Sequence, residues 1–465
     1  MMVSLSTLTS VCLVLTSSTS ALLAPKPFPQ QANDQFNALR YMGTGGAFHE
    51  NSGVGISKET PPQCTIDQAH LFMRHGERYP TTSSGKQLEK LFKKLKAATT
   101  EQYDNPLGFM HDAEYFVSNS SDYEHETYYN AYAGLADCFS FGSDLRQRYN
   151  HLVDTNKTTP IFSAGQKRVV DSAIAFSQGF FGNGYSGDYQ LVVLPEVEAQ
   201  GANSLTNTDA CKNFDGDGNA EKVLEGENYL YAQYEADRLN QLATGYNLTA
   251  ADIFTMVDYC AFETNVKGHS KLCDVLSPDA FVAAGYHADL DKWYSQGPGY
   301  NMSFVSGFTL ANATATLLQQ DTEESLYLSF THDNDILRYL TGLGIFDDEA
   351  DLDKHEIDFK RAFKIGEIVP LGGRLLTERL SCQNATSGET DTFVRLMLND
   401  QVFPIPNCAD GPGYSCPLDD YIQLASTHTV DYKEACGIED EDVPNHVSFF
   451  WDWAEADYPS VADAE

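Results

Sequence analysis

The sequence predicts an α/β fold in which a mixed sheet is flanked by helices and joined to a smaller, mainly helical cap domain. Three observations lead to this prediction. Short apolar runs recur along the chain, and several end in a turn that is followed by apolar residues at helical spacing. Between residues 206 and 320 the signals are almost all helical, and after residue 370 short strands alternate with turns. Ligands of open α/β sheets bind at the carboxyl ends of strands, so residues just after each run are candidates for function.

The composition is that of an acidic globular protein. Of 465 residues, 42% are hydrophobic and 12% are aromatic, which is enough for one large core or two smaller ones. Thirty Lys and Arg against 66 Asp and Glu give a net charge of −36. Such a surface repels nucleic acid and anionic membranes, so we expect neither as a partner. An anionic substrate would require arginines gathered at one place, which makes clustered arginines informative.

The beginning of the chain has the features of a secreted protein. Residues 1–21 lack charge, contain an apolar run at 11–15 and end in small residues, which predicts a signal peptide although the usual basic start is missing. Residues 22–60 are polar and glycine-rich and predict an irregular arm. The glycines at 43–46 follow no predicted strand, so we do not interpret them as a phosphate loop. Glycosylation sequons stand at Asn119, Asn156, Asn247, Asn301, Asn312 and Asn384.

The cysteines predict disulfides. Nine of them follow residue 21: Cys64, Cys138, Cys211, Cys260, Cys273, Cys382, Cys408, Cys416 and Cys436. No two have the spacing of metal ligands, so disulfides in an oxidising compartment are the expectation. An odd count leaves at least one thiol free, and spacing alone does not select a pairing.

The first apolar run, residues 69–72, is interrupted by His70 and leads into Arg74-His75-Gly76-Glu77-Arg78-Tyr79-Pro80. His75 is therefore expected at the carboxyl end of a strand, between two arginines whose planar forks suit phosphate oxygens. Their charge keeps the imidazole neutral, and a neutral imidazole can attack phosphorus. The alternative is a surface turn whose arginines form salt bridges. The helix predicted next has an apolar face (Leu88, Leu91, Phe92, Leu95) and a lysine-rich face, which is either simply solvated or a guide for phosphorylated substrates.

A second strand and turn repeat this arrangement. Residues 128–150 predict a helix, and the run at 160–163 ends in a glycine turn before Arg168. Apolar residues at helical spacing follow. Arg168 is thus another candidate anion ligand, whereas Lys167 would point about 100° away on the same helix. The alternative is that Arg168 starts a helix and pairs with Asp171.

The middle of the chain predicts the cap. After a strand at 191–194, helical patterns cover residues 221–243, 249–265, 278–296 and 305–320. The acidic stretch 215–219 imitates a calcium loop, but its sixth position is Ala220 and its twelfth is Gly226. We therefore interpret it as a solvated turn.

The core resumes with an apolar strand at 325–330 that runs into His332 and Asp333, followed by a helix. Asp333 is a candidate acid, although it could instead cap that helix, and Asp335 competes for the acid role. Strands near 374–383, 391–398 and 401–405 follow, and an aromatic segment at 449–453 is expected to bury against the core.

The stretch Arg74-His75-Gly76-x-Arg78-x-Pro80 resembles the signature of the histidine acid phosphatase family, in the form seen in secreted yeast acid phosphatases, which are related to fungal phytases. The resemblance covers nearly the whole mature chain and implies a phosphoglycerate-mutase-like core. It also implies roles for individual residues: His75 as nucleophile, Arg74, Arg78, Arg168 and His332 as phosphate ligands, and Asp333 as proton donor. No metal or cofactor is implied.

The same resemblance implies the disulfides Cys64–Cys382, Cys211–Cys436, Cys260–Cys273 and Cys408–Cys416, which leaves Cys138 as a free thiol. The expected organisation is signal peptide 1–21, arm 22–60, first part of the core 61–205, cap 206–320 and second part of the core 321–465. In related yeast enzymes the arm packs over a neighbour or the core, and self-association into a homo-oligomer is compatible with this sequence.

The resulting expectation is an acid phosphatase secreted to the extracellular space, cell wall or periplasmic space, which hydrolyses small phosphate monoesters at acid pH through a phosphohistidine. Three alternatives remain at this point. A phytase of the same family would differ only at the rim of its pocket. A non-catalytic cell-wall glycoprotein would have lost the nucleophile or a phosphate ligand, and all of those positions are filled. An intracellular phosphotransferase, such as a mutase, would not need the signal segment or the sequons.

Overall fold

One mixed sheet, half parallel and half antiparallel, organises the protein. The computed structural model describes residues 36–51, 53, 55–99, 105–182, 188–322, 324–384 and 387–459, so the expected signal peptide lies outside the described residues. Its strands are β1 (Cys64–Arg74), β2 (Thr159–Ala164), β3 (Tyr189–Leu194), β4 (Leu326–Thr331), β5 (Arg374–Gln383), β6 (Thr390–Leu398), β7 (Gln401–Phe403) and β8 (Cys416–Pro417). They are ordered β3-β2-β4-β1-β5-β6-β7, with β8 paired to β6. The α/β class and the mixed sheet are confirmed.

The parallel half of the sheet places the functional turns side by side. Strands β3, β2, β4 and β1 run parallel, so their carboxyl ends lie at one edge. Strand β1 continues into the antiparallel half by pairing with β5. It is longer than its apolar run predicted because residues 64–68, in which buried side chains alternate with the exposed Thr65 and the half-buried Asp67, extend it along β5. His70, which interrupts the run, is buried and stacks on Tyr327 with ring centroids 4.6 Å apart.

Helices cover the sheet, and the chain segment between β3 and β4 is mainly helical. They are α1 (Thr82–Ala98), α2 (Gly134–Tyr149), α3 (Lys167–Phe181), α4 (Gly216–Val223), α5 (Leu230–Leu242), α6 (Ala250–Lys267), α7 (Lys271–Val275), α8 (Pro278–Ser295), α9 (Asn301–Gln319), α10 (Asp333–Gly342), α11 (Ile365–Ile368), α12 (Leu418–Ala425), α13 (Tyr432–Cys436) and α14 (Phe449–Asp452). The apolar face predicted for α1 is buried, and so are the regularly spaced residues of α3, Val169, Ala173, Phe176 and Phe180. The division between core and cap at residues 206 and 320 stays a prediction.

Several helix boundaries differ from their predictions. The helix expected at 128–150 begins only at Gly134, because residues 128–133 form turns beside the site. The helix expected at 221–243 is two helices, interrupted near Gly226, which has a left-handed φ of 78°. The acidic stretch expected to be a solvated turn starts α4, and the Asp215 side chain caps that helix by accepting a hydrogen bond from the Gly218 amide.

Disulfides tie distant parts of the chain together. The bonds present are Cys64–Cys382, Cys211–Cys436, Cys260–Cys273 and Cys408–Cys416, the same four pairs that the resemblance implies. Cys138 is free and buried. In the aromatic segment near the carboxyl end, Phe449 and Phe450 are buried against Phe162, whereas Trp451 is exposed. Among the described residues, no helix is both long and apolar enough to cross a bilayer.

Candidate active site

The parallel pairing of β1 with β4 brings two histidines together. Arg74 lies opposite Thr331 in register, so the residues that follow them, His75 and His332, leave the sheet side by side. The His75 amide donates to the Thr331 carbonyl at 3.2 Å, and the Gly372 amide donates to the His75 carbonyl at 2.9 Å. The two imidazole rings have centroids 5.7 Å apart. The sheet itself thus determines the position of the predicted nucleophile.

Gly76 allows the turn after His75 to pack tightly. A Cβ at this position would lie 2.7 Å from the Gly134 carbonyl oxygen and 2.9 Å from its Cα, so a larger residue would push the turn away from the start of α2. The Gly76 amide donates to Glu126 at 2.8 Å and to the Ser172 hydroxyl at 3.0 Å. Any side chain here would displace the neighbouring imidazole.

His75 is held in the tautomer that a nucleophile needs. Its Nδ1 lies 3.0 Å from the Gly76 carbonyl oxygen, which can only accept, so Nδ1 carries the proton and Nε2 keeps its lone pair. Burial lowers the pKa of His75 well below its ordinary value, and the charges of nearby arginines and of His332 lower it further. The imidazole is therefore neutral even in mildly acid solution.

Three arginines surround this imidazole. Arg74 is 1% exposed, and its Nη1 donates to the carbonyl oxygens of Thr44 and Val369, both at 2.7 Å. Arg78 donates to the Tyr79 carbonyl and lies over the Phe262 ring. The buried position of Arg74 argues against a surface turn with salt bridges.

Arg168 comes from the start of α3, after the turn that follows β2. Its Nη1 lies 3.4 Å from Glu124, whereas Lys167 is the residue that pairs with Asp171, at 3.5 Å. Arg168 lowers the pKa of both Arg74 and Arg78, although burial is the larger cause for each. The three guanidinium groups therefore lie close enough to repel one another.

This clustering favours an anion at the centre of the site. The Nε atoms of Arg74, Arg78 and Arg168 are buried and have no hydrogen-bond partner among the described residues. Gathered like charges and unpaired buried donors are both costly unless a negative group occupies the space between them. A phosphoryl group supplies both the charge and the acceptor oxygens.

His332 lies on the other side of the nucleophile. Its Nε2 is 3.2 Å from Glu196 Oε1, just after β3. Burial alone would raise the pKa of Glu196, but the hydrogen bond with His332, its charge and two hydrogen bonds from Gln166 lower it below the usual range. Glu196 is therefore ionised in acid and orients the His332 ring.

Asp333 and Asp335 are distinguished by their partners. Asp335 accepts from Thr331 at 3.0 Å and forms a buried ion pair with Arg338, so it is engaged away from the site. Asp333 lies 3.6 Å from Arg74 Nη2, and its side chain is 16% exposed. It occupies the first position of α10, whose N-cap is His332. The geometry favours Asp333 as the carboxyl group that acts on substrate.

The electrostatic field around Asp333 is strongly positive. Burial alone would raise the pKa of Asp333, but the field of Arg74 and three further cations lowers it well below the usual range. Those cations are Lys292, His332 and Arg78. The ionised form of Asp333 is thus favoured.

Three carboxyl groups, which we call the acid cluster, lie behind the turn that carries His75. Glu77 and Glu126 are buried, and Asp137 is half-buried. Burial raises the pKa of Glu126 to about 8, although hydrogen bonds from Ser172 and Gly76 favour its ionised form. Burial and the charge of Asp137 raise the pKa of Glu77, which accepts from the Phe48 amide at 2.7 Å. These groups are neutral in acid.

Several of these neighbours were not singled out from the sequence. Glu196 could have been found from the sequence, because it lies just after the carboxyl end of β3, as His75 lies just after that of β1. Thr44, Val369 and Lys292 had none, since they reach the site from the arm, from a loop and from α8 through long-range packing. Among the described residues, no group of three or more His, Cys, Asp or Glu is arranged to hold a metal ion.

Comparison with known proteins agrees with this geometry. The sequence profile of the histidine phosphatase superfamily (branch 2) matches residues 65–399. The chain belongs to this superfamily. An acid phosphatase of Komagataella pastoris is 44% identical over 440 residues, which cover 92% of each chain. A phytase of Candida albicans is 36% identical over 469 residues, 98% of this chain and 99% of the relative.

Solved histidine phosphatases share the fold. The crystal structure of the phytase from D. castellii superposes with a TM-score of 0.87 at 35% identity, covering 96% of both chains. This match and the superfamily membership confirm the resemblance that the Arg74-His75-Gly76-x-Arg78 stretch indicated.

Proposed function

We propose that this protein is a phosphomonoesterase of the acid phosphatase type that works through a phosphohistidine at His75. The observation that carries the proposal is the neutral imidazole with a free Nε2, placed among three arginines whose buried donors are unpaired. Membership of the histidine phosphatase superfamily and the acid phosphatase relatives support it.

The geometry supports a two-step reaction. The phosphoryl oxygens of the ester bind Arg74, Arg78, Arg168 and His332, whose positive charges stabilise the transition state. His75 Nε2 attacks phosphorus in line, the P–O bond to the alcohol breaks, and Asp333 gives its proton to the leaving oxygen. Asp333 then takes a proton from water, which attacks phosphorus, breaks the P–N bond and releases phosphate.

Secretion and glycosylation belong to the same proposal. The four disulfides favour an oxidising compartment. All six sequon asparagines, Asn119, Asn156, Asn247, Asn301, Asn312 and Asn384, are exposed. A phytase is the second candidate function. The similarity to the D. castellii phytase structure and to the Candida albicans phytase favours it.

Trapping of the intermediate tests the proposal. Enzyme quenched during turnover of ³²P-labelled phenyl phosphate should carry label that is lost in acid and kept in base, and His75→Ala should trap none. A matched variant at the other imidazole, His332→Ala, should weaken substrate binding yet still trap label. Label on a serine or an aspartate, or no turnover of p-nitrophenyl phosphate by the wild-type protein, would overturn the proposal.

A further inference from the structure

A pocket of about 200 Å³ opens beside the phosphate site, and Arg78 belongs to both. Its walls come from residues 41–45 of the arm, from Ser84, Gln87 and Leu88 of α1, and from residues of α6 and α8. If the phosphoryl group of an ester lies on the arginines, as the proposed function requires, then the alcohol part occupies this pocket. The pocket therefore selects the leaving group.

Two charged side chains line the pocket. One is Arg78, which the proposed function assigns to the phosphoryl group, and the other is Asp258 of α6. Asp258 is exposed to the pocket and forms no hydrogen bond or ion pair with any described residue. An alcohol in the pocket thus meets one unpaired carboxyl group and no uncommitted cation.

Three cationic groups on neighbouring elements have partners other than Asp258. His287 of α8 acts on Asp258, but its Nδ1 lies 2.9 Å from both carboxylate oxygens of Glu227. Lys94 of α1 pairs with Asp252 at 2.7 Å, and Lys292 of α8 lies 3.8 Å from Asp291. The charge of Asp258 is therefore not cancelled by a partner.

We propose that Asp258 determines the leaving-group preference of this enzyme, favouring phosphate esters of positively charged alcohols and disfavouring alcohols that carry further phosphates. The physical reason is direct: an ionised carboxylate in a partly enclosed pocket attracts a cationic substituent and repels an anionic one. Inositol hexakisphosphate would bring five additional phosphates toward a wall that offers them a carboxylate.

The preference depends on pH. Although the Asp258 side chain is exposed to the pocket, the protein atoms packed around its carboxyl group partly desolvate it and raise its pKa to about 6, an effect that the charge of His287 opposes. The carboxyl group is neutral below that pH and charged above it. Selectivity for cationic alcohols should therefore be small near pH 4.5 and increase toward pH 6.5, while turnover of phytate relative to p-nitrophenyl phosphate should decrease over the same range.

A matched pair of substrates tests this inference. Choline phosphate and 3,3-dimethylbutyl phosphate have the same shape but differ by one positive charge on the alcohol. At pH 6.5 we expect the ratio of their kcat/KM values to be about tenfold higher in the wild-type enzyme than in Asp258→Asn. The difference between the two proteins should nearly vanish at pH 4.5. Comparison at equal pH cancels the ionisation of the substrates themselves.

Controls separate the possible failures. Asp279→Asn removes the same charge from an exposed position of α8 and should leave the ratio unchanged. An unchanged ratio in Asp258→Asn, or an equal loss for both substrates, would overturn the inference. The ratio of phytate turnover to p-nitrophenyl phosphate turnover in the wild-type enzyme tests it without a variant, and a ratio that increases from pH 4.5 to pH 6.5 would also overturn it. Absence of p-nitrophenyl phosphate turnover would instead contradict the proposed function.

Discussion

At the scale of single residues, the site separates a base from an acid by their surroundings. Burial and four neighbouring cations favour neutral His75, and three of these cations, Arg74, Arg78 and His332, together with Lys292, favour ionised Asp333. In the proposed mechanism a bound anion offsets the positive field, so Asp333 gains its proton in the complex. Arg74 and Arg78 then act on the nucleophile, the acid and the substrate alike.

Asp333→Asn should keep phosphate binding and lose most turnover of alkyl esters. Without a proton donor, an alkoxide must leave unprotonated, and general acid catalysis is worth about 10²- to 10⁴-fold. p-Nitrophenyl phosphate should lose much less, because its leaving group needs little protonation. Steady-state kcat for both esters checks this, with Asp335→Asn as the comparison. Equal losses for the two esters in Asp333→Asn would contradict the assigned role.

The pH dependence of turnover follows from the same two groups. The pKa of His75 is lowered well below its ordinary value, so protonation of the nucleophile should limit activity only at low pH, and loss of the proton from Asp333 in the complex should end activity on the alkaline side. We expect a bell-shaped profile of kcat with its maximum between about pH 3 and 6. Initial rates with an alkyl ester such as glycerol 2-phosphate, at constant ionic strength, measure it, and a maximum above pH 7 would be inconsistent with Asp333 as the donor.

At the scale of elements, hydrogen bonds to the acid cluster hold the turn after β1 in place. Glu126 accepts from the Gly76 amide, and Glu77 accepts from Phe48 of the arm. Because these carboxyl groups are buried, their neutral forms are favoured. The element that carries the nucleophile is therefore best supported in acid, where the proposed reaction takes place.

Stability should decrease as the pH rises. In the unfolded chain Glu126 ionises near its ordinary pKa of 4.5, whereas burial raises the folded pKa to about 8. Its contribution is fully present below pH 4.5 and is lost as the pH rises through about 8, on the order of a few kcal/mol. Urea unfolding between pH 4 and 8 should show this decline, and Glu126→Gln should make it shallower. Glu114→Gln, at an exposed position, should not; a slope unaffected by Glu126→Gln would exclude this explanation.

At the scale of the whole molecule, long-range links join parts that are far apart in sequence. Cys64–Cys382 connects the first strand to β5 across a separation of 318 residues, whereas Cys408–Cys416 spans a separation of 8. In the chain-entropy description, the longer loop restricts the unfolded chain more.

Removal of the long link should therefore cost more than removal of the short one. We expect the double variant Cys64→Ser/Cys382→Ser to lose about 3 to 5 kcal/mol of unfolding free energy, and Cys408→Ser/Cys416→Ser about half as much. Urea denaturation of the oxidised proteins, followed by tryptophan fluorescence, measures both. Equal losses would show that local packing, rather than loop length, determines the effect.

The sequence by itself determined the fold class, the strands that end in functional turns and the residues that meet at the nucleophile. Local physics is sufficient there: a buried strand, a glycine turn and a charged side chain follow one another within a few residues, and parallel strands bring such turns to one edge. The burial of α1 and α3 on their predicted faces has the same origin.

Only the tertiary structure decided which neighbours complete the site. Thr44, Val369 and Lys292 approach from segments whose order in the chain contains no sign of their meeting. The choice between Asp333 and Asp335, two residues apart, likewise needed the observation that Arg338 engages one of them. Charge, burial and pairing are properties of positions in space, and a helical or strand pattern specifies only the face on which a residue lies.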